Sequence, residues 1–433
     1  MKRAHLLGIG GAGVSALARA LLSRGYEVSG CDLRESDTTR ALAAEGAAIE
    51  IGHGIGHVNT GLDLVVYSGA VRAAGQAELA AARGSGIRVL SRAELLAELM
   101  QEFESVAVAG SHGKTTVTYM LGHVLQRAGW DPTVLVGDGA NSRAGQSRYL
   151  VAEADESDGT LVLHRPHHGI LTNVDFDHPD HFSGLEEIAT LFRNFVAVIP
   201  GLAVVGADDE RAREFTSAGR LLTYGFHEAA DYRCRRDASG SFEALRGEVV
   251  LARLKLPFPG RHNVQNATGA LAMAVELGVD PVVAAAALAD FPGAHRRLES
   301  LGEYRGARLL DDYGHHPAEV TSTLAAVREL RPERLVIVFQ PQRYTRYEAL
   351  RDDFARSLLG ADVVVVAEIY PAGETNPGLS ARDLAAAVPG ASFAPDLAEA
   401  RRQVERLARP GDVIVFMGAG DIWKVGSELA QSR

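Results

Sequence analysis

Short apolar runs separated by alanine-rich stretches recur along the whole chain. Ala4–Leu7, Glu27–Cys31, Val106–Ala109, Tyr149–Ala152, Gly169–Thr172, Leu309–Leu310, Leu335–Phe339, Val363–Ala367 and Val413–Met417 read as strands. Runs this short, with apolar residues at consecutive positions, belong to sheets buried on both faces. Helical segments lie between them, among them Val14–Arg24 and the stretch from Lys114 through Leu125. The alternation predicts an α/β chain of parallel sheets covered by helices. No tandem repeat or low-complexity linker interrupts it.

Length and charge narrow this picture. The 433 residues suggest two to three domains, and 46% hydrophobic content is enough for sizeable cores. Lys and Arg total 44 against 55 Asp and Glu, a balance of −11. That excludes a broad basic face for nucleic acid, though a few local cations can still serve an anionic substrate. Cys31 and Cys234 are the only cysteines, which leaves no disulfide framework and no thiolate zinc cluster. The start Met1-Lys2-Arg3 looks superficially like a secretory leader, but four glycines (Gly8, Gly10, Gly11, Gly13) and Arg19 and Arg24 follow. A strand, turn and helix explain that composition better. No run approaches the ~18 apolar residues of a membrane span. The expectation is a cytoplasmic protein without membrane insertion, monomeric or homodimeric.

Three regions carry chemistry. The first is Gly8-Ile-Gly10-Gly11-Ala12-Gly13 between a strand and a helix, with Asp32 about twenty residues on at the end of the next strand. Glycines there let backbone N–H groups approach a pyrophosphate at the helix N-terminus, and Asp32 can accept from a ribose hydroxyl. NAD and other pyrophosphate-bridged nucleotides such as a UDP-sugar fit equally. The second is Gly110-Ser111-His112-Gly113-Lys114-Thr115-Thr116, a phosphate-binding loop two residues shorter between its glycines than the general pattern. Lys114, one of four lysines, can reach the β and γ oxygens, and the Thr115 hydroxyl can ligate Mg²⁺. Downstream, Glu153-Ala-Asp155-Glu156-Ser-Asp158 closes a strand, and Glu153, nearest the strand end, is the favoured Mg²⁺ ligand. His178, after Asn173-Val-Asp-Phe-Asp177, is a second candidate ligand. The clusters His53 with His57, and His164 with His167 and His168, lack cysteine partners in sequence, which weighs against zinc. The third region, from Pro292 on, ends four strands in polar loops: Asp311-Asp312-Tyr-Gly-His315-His-Pro, Gln340-Pro-Gln342-Arg343-Tyr-Thr-Arg346, Glu368-Ile-Tyr370 and Gly418-Ala-Gly-Asp421. Ligands of open α/β sheets sit beyond such strand ends.

With Gly260-Arg-His262-Asn-Val-Gln-Asn266 added, these motifs occur in order in a pattern that resembles the Mur ligases over the whole length. The resemblance implies three α/β domains. Residues 1–98 would form a Rossmann-like domain for a UDP-linked substrate. Residues 99–294 would form a P-loop ATPase-like domain with a parallel sheet, and 295–433 a second Rossmann-like domain for the incoming amino acid. It implies ATP and two Mg²⁺ ions, and, by likeness to the alanine-adding branch, UDP-N-acetylmuramate and L-alanine as substrates in peptidoglycan precursor synthesis. Gly8, Gly10, Gly11, Ala12, Gly13, Asp32 and Ser68 would bind the UDP portion. Gly110 through Thr116, His262, Asn266, Arg297 and Asp312 would bind ATP. Thr115, Glu153 and His178 would serve the metal, and His315, Arg343 and Arg346 the amino-acid and acyl end. The chain departs from the pattern at Gln342, where that branch usually has His. It also has no lysine between His178 and Pro200, where some relatives carry a carbamylated one.

Phosphoryl transfer from ATP would turn the substrate carboxylate into an acyl phosphate, which an amine attacks with release of phosphate. Lys114 would neutralise the converging negative charges. His315 is the candidate base for the amine proton. A murein-peptide ligase shares most of these motifs. A dehydrogenase using NAD would explain the first loop but not the second.

Overall fold

The computed structural model describes residues 1–58, 61–68, 75–137, 142–157, 159–237 and 241–432. Among them are three sheets. The first is fully parallel, with strands in the spatial order Ala48–Ile51, Glu27–Asp32, Arg3–Leu7, Leu64–Tyr67, Arg88–Ser91. The order reverses beside Arg3–Leu7, so a crevice opens past the carboxyl ends of that strand and of Leu64–Tyr67. Gly8 and Ser68 follow those two strands directly.

The second sheet has nine strands. Its parallel part places Glu104–Ala109 between Tyr149–Glu153 and His168–Leu171. The parallel pairing expected from the apolar runs ends at Tyr232–Arg236. From there Phe242–Arg246 and Val249–Leu254 continue as an antiparallel meander. Much of the surface of these two strands faces solvent, so burial does not dictate their residue types as it does in the parallel part.

The third sheet runs Glu299–Tyr304, Ala307–Asp312, Asp412–Met417, Arg334–Phe339, Val363–Ala367, Ser392–Ala394, with only the first strand antiparallel. Its two faces bury separate apolar layers, one around Leu335, Ile337, Phe339 and Phe354, the other around Val336, Val338, Ile414 and Phe416.

The chain forms two compact units. One holds residues 1–175, 188–255 and 266–289 and contains the first two sheets. The other holds 176–187, 256–265 and 290–433 and contains the third. The expected boundary at 294/295 thus cuts differently from the packing, for a physical reason. Asp177 pairs with Arg346, the Phe176 carbonyl meets the His316 ring at 3.0 Å, and the Gly260 N–H faces Glu329, so both short segments are tied to the C-terminal sheet.

Candidate functional site

In the first unit the glycine-rich turn leads into the helix Ala12–Ser23. The Gly8 N–H donates to the Cys31 carbonyl at 2.8 Å, and Gly8 sits at φ 73°, which closes the turn onto the neighbouring strand. Asp32 spends one carboxylate oxygen on the Gly10 N–H at 2.9 Å, so it braces the turn it was expected to accompany. A Cβ on Gly13 would fall 2.7 Å from the Arg92 side chain. One cleft is lined by Gly13, Ala16, Arg92, Gly137, Glu153 and Asp155. The helix that follows the glycine-rich turn and the carboxylates after the second motif therefore share a single cavity.

The second motif links Glu104–Ala109 to the helix Lys114–Arg127. Gly110 and Gly113 adopt φ 130° and 84°, and a Cβ would meet Thr172 Oγ1 at 2.0 Å or Asn266 Oδ1 at 2.8 Å, so both must be glycine. The loop is held from beneath. Ser111 Oγ and the His112 N–H donate to the Asp175 carbonyl and Asn173 Oδ1, and the His112 ring meets the Asp175 carboxylate at 3.0 Å. Lys114 Nζ reaches the Gly110 carbonyl at 2.6 Å and Glu156 at 2.9 Å. Burial alone would lower the lysine, but Glu156, Asp155 and Glu153 outweigh it and raise it. The Thr115 hydroxyl lies 3.0 and 3.1 Å from the two Glu153 oxygens, and the Gly137 N–H donates to Glu153 at 2.8 Å. Burial raises the Glu153 carboxyl against the pull of Lys114. Thr116 is buried, Asn266 sits against Gly113, and Asp158 lies outside the described residues.

The second unit gathers the rest. Arg297 pairs with Glu319 at 3.2 Å, and Asp312 accepts from the Leu298 and Gly314 N–H groups. Burial pushes Asp312 up to about 6. Burial and then Arg297 lower His262 to about 4, and burial and then Arg346 lower His315 to about 4. The His315 Nδ1 faces the Tyr313 carbonyl at 3.1 Å. A carbonyl only accepts, so Nδ1 carries the proton and Nε2 keeps its lone pair. His178 has φ 57° and donates its backbone N–H to Asp177.

Both arginines expected at the amino-acid end are engaged within the unit. Arg343 pairs with Asp180 at 2.9 Å and Glu374 at 2.8 Å. Arg346 is 3% exposed. It pairs with Asp177 at 2.8 Å and donates to Gln342 Oε1 at 3.0 Å. Burial disfavours the Asp177 carboxylate, yet Arg346, with His178 and His315, holds it well below the ordinary range. Arg346 therefore works first as the partner of Asp177.

Comparison with known proteins decides the kinship of this arrangement. Residues 3–104 match the Mur ligase family, catalytic domain, residues 108–274 the Mur ligase middle domain, and residues 296–420 the Mur ligase, glutamate ligase domain. The chain belongs to the Mur ligase family.

Its relatives include two proteins named UDP-N-acetylmuramate–L-alanine ligase. That of Solidesulfovibrio magneticus is 44% identical and aligns with 100% of this chain and 98% of its own length. That of Desulfatibacillum aliphaticivorans is 42% identical over 99% and 98%. Among solved Mur ligases, the UDP-N-acetylmuramate-alanine ligase of Thermotoga maritima superposes with a TM-score of 0.82 at 28% identity, covering 100% of this chain and 99% of that one. A murein peptide ligase of Psychrobacter arcticus gives 0.73 at 26%, over 100% and 98%. The Gly8–Gly13 and Gly110–Lys114 motifs fall at the turns described above, and Gly260–Asn266 opens the helix Arg261–Glu276. Several residues that hold those motifs in shape were not singled out. Glu156 is one of four acids in a turn, and only its burial marks it as the lysine's partner. Glu319 shows in sequence only as the fourth residue of His316-Pro-Ala-Glu, a cap in which its side chain accepts the His316 N–H.

Proposed function

We propose that this Mur ligase joins L-alanine to the carboxylate of UDP-N-acetylmuramate at the expense of ATP. The observation that carries the reading is the shared cleft. It places the glycine-rich helix start, suited to a pyrophosphate, beside the carboxylates that follow the ATP loop. The names and full-length similarity of the relatives support the choice of alanine.

The donor set suits Mg²⁺. Thr115 and Glu153 offer hard oxygens side by side at the start of the helix that follows the loop, and the Glu153 carboxyl, raised by burial, gains from a neighbouring cation. Bound there, Mg²⁺ would neutralise phosphate charge. The protein's own groups do the rest. The N–H groups of the loop and the helix start hold the β- and γ-phosphates. Lys114, fixed by Glu156, places its charge where the carboxylate approaches the γ-phosphorus. Transfer makes an acyl phosphate, and attack by the amine gives a tetrahedral adduct that expels phosphate. His315 is neutral near pH 7 and has its Nε2 lone pair available. At about 4 it is too weak a base for free alanine's ammonium group, so it would take the proton from the more acidic adduct. Arg343, partly exposed, would hold the alanine carboxylate, with Arg346 and Asp177 positioning it. A second ion served by His178 belongs to the same proposal.

The test is phosphate release from ATP with UDP-N-acetylmuramate across a panel of amino acids and a tripeptide. Alanine should give the highest kcat/KM. Preference for the tripeptide would favour a murein-peptide ligase, and no release with any acceptor would overturn the reading.

A further inference from the structure

The sequence separates His53 and His57 from any cysteine, but the fold does not. Strands Glu27–Asp32 and Ala48–Ile51 pair in parallel with Asp32 opposite Ile51, so the loop that follows Ile51 starts beside the end of the strand carrying Cys31. Cys31 Sγ lies 3.3 Å from His53 Nδ1 and 3.7 Å from Glu78 Oε1, and His53 Nδ1 lies 3.1 Å from Glu78 Oε2. Glu78 comes from the first turn of the helix Gln76–Gly84. With metal–sulfur bonds of about 2.3 Å and metal–nitrogen or metal–oxygen bonds of about 2.0–2.1 Å, neighbouring donors of a tetrahedral zinc stand roughly 3.3–3.6 Å apart. The separations among Cys31, His53 and the two Glu78 oxygens, 3.1, 3.3 and 3.7 Å, lie close to that size.

Two further observations point to a cation. His5, 1% exposed, uses Nδ1 on Ser29, and its Nε2 is buried with no hydrogen-bond partner among the described residues. His5, Cys31 and His57 offer donor atoms within 4.8 Å of one another, so the His5 ring belongs to the same cluster. Glu78 is also a buried carboxylate that no Lys or Arg approaches among the described residues. Its partners are the Gly54 N–H, the two histidines and the thiol. A buried charge of this kind is normally compensated.

We propose that Cys31, His53 and Glu78, completed by a ring nitrogen of His57 or His5, form a site for a borderline divalent cation of the Zn²⁺ type. Coordination converts the Cys31 thiol to a thiolate and releases its proton to solvent. The site is distinct in donor chemistry from the oxygen-rich Thr115–Glu153 pair, and it ties together the ends of two strands and a helix. The Cys31 carbonyl also accepts the Gly8 N–H, so the cation would stiffen the glycine-rich turn.

Cobalt(II) tests this, because thiolate ligation gives an intense near-ultraviolet charge-transfer band. Full-length protein, stripped with chelator and titrated with Co²⁺, should develop the band with one equivalent. Zn²⁺ should bleach it and excess Mg²⁺ should not. The only other thiol is Cys234, so Cys234→Ser must keep the band and thereby assign it to Cys31. Cys31→Ser should lose it, and His53→Asn should weaken Zn²⁺ binding by about 100-fold or more, beyond the 10–100-fold typical of residues that only support a ligand. No band in the wild type, a band abolished by Cys234→Ser, or unchanged Zn²⁺ affinity in His53→Asn would each overturn the site. If Cys31→Ser fails to fold, the Cys234→Ser spectrum still decides.

Discussion

Replacing Arg346 by methionine removes a guanidinium and leaves the Asp177 carboxylate behind, 5% exposed and 2.8 Å from where the charge had been. Breaking a buried pair on one side costs about 3–5 kcal/mol, because the orphaned charge keeps its desolvation penalty. For a cooperative unit of about 150–250 residues each kcal/mol lowers Tm by roughly 2–4 °C, so a drop of roughly 6–20 °C is expected for the unit that holds both residues. Calorimetry reads it. Asp177 is held low in the wild type, so its contribution is present above the unfolded carboxylate's pKa and is lost as pH falls. In Arg346→Met, burial prevails, Asp177 titrates high and the folded state takes up a proton. The Tm gap between wild type and variant should therefore narrow as the pH is lowered from about 7.5 towards about 4.5. Arg346→Met with Asp177→Leu removes both charges and should recover at least half of the loss. A single variant within 2 °C of wild type (well below the roughly 6 °C minimum), or a gap that widens in acid, would refute the reasoning.

Lys114→Ala should abolish ATP-dependent turnover. It also strands Glu156, 1% exposed, so Lys114→Ala with Glu156→Gln is the variant expected to stay folded and inactive, and near-normal phosphate release in it would sink the assigned role. Gly110→Ala places a methyl 2.0 Å from Thr172 Oγ1 at φ 130°, so ATP affinity measured by calorimetry should fall at least tenfold, with partial recovery in Gly110→Ala/Thr172→Ala. His262, lowered to about 4, stays neutral in the fold while the unfolded chain binds a proton below about 6.5, so it costs stability as pH falls through that window, by up to about 1.4 kcal/mol per pH unit. Asp312, raised to about 6, acts with the opposite sign, and the contrast between wild type and His262→Gln isolates the histidine. Equal Tm slopes for the two proteins would exclude it.

Nine strands were legible because continuous apolar runs permit little else. Val363–Ala367 was read to the residue and the other eight to within two residues at each end, whereas the equally buried Leu64–Tyr67 and Leu202–Gly206 were not singled out. The meander 232–254 was not legible, because Tyr232-Arg-Cys-Arg-Arg236 interleaves arginines with the buried Tyr232 and Cys234, and a strand with one open face shows no continuous apolar run. Of the site, the glycine turns and Lys114 could be read, since backbone geometry and phosphate chemistry restrict those positions to few residue types. Glu153 could be favoured from its place at the strand end, but Glu156 as the partner of Lys114 could not. Thr115 meets Glu153 and Lys114 meets Glu156, and that division follows from which way each side chain leaves the turn. The same limit hid the approach of Cys31 to His53, which strand register creates from residues 22 apart.

The third sheet's unit is assembled from three stretches of chain, two of which, 176–187 and 256–265, are made before the rest. Asp177 thus emerges from the ribosome about 170 residues ahead of Arg346, its arginine partner at 2.8 Å. A gene fragment cut to encode residues 290–433 alone would keep every strand of that sheet yet omit the carboxylate that neutralises its buried arginine. Such a fragment should express poorly until 176–187 is supplied on the same or a second chain. The C-terminal third is therefore no detachable module, and recombination between relatives should succeed more often when the two early segments travel with it.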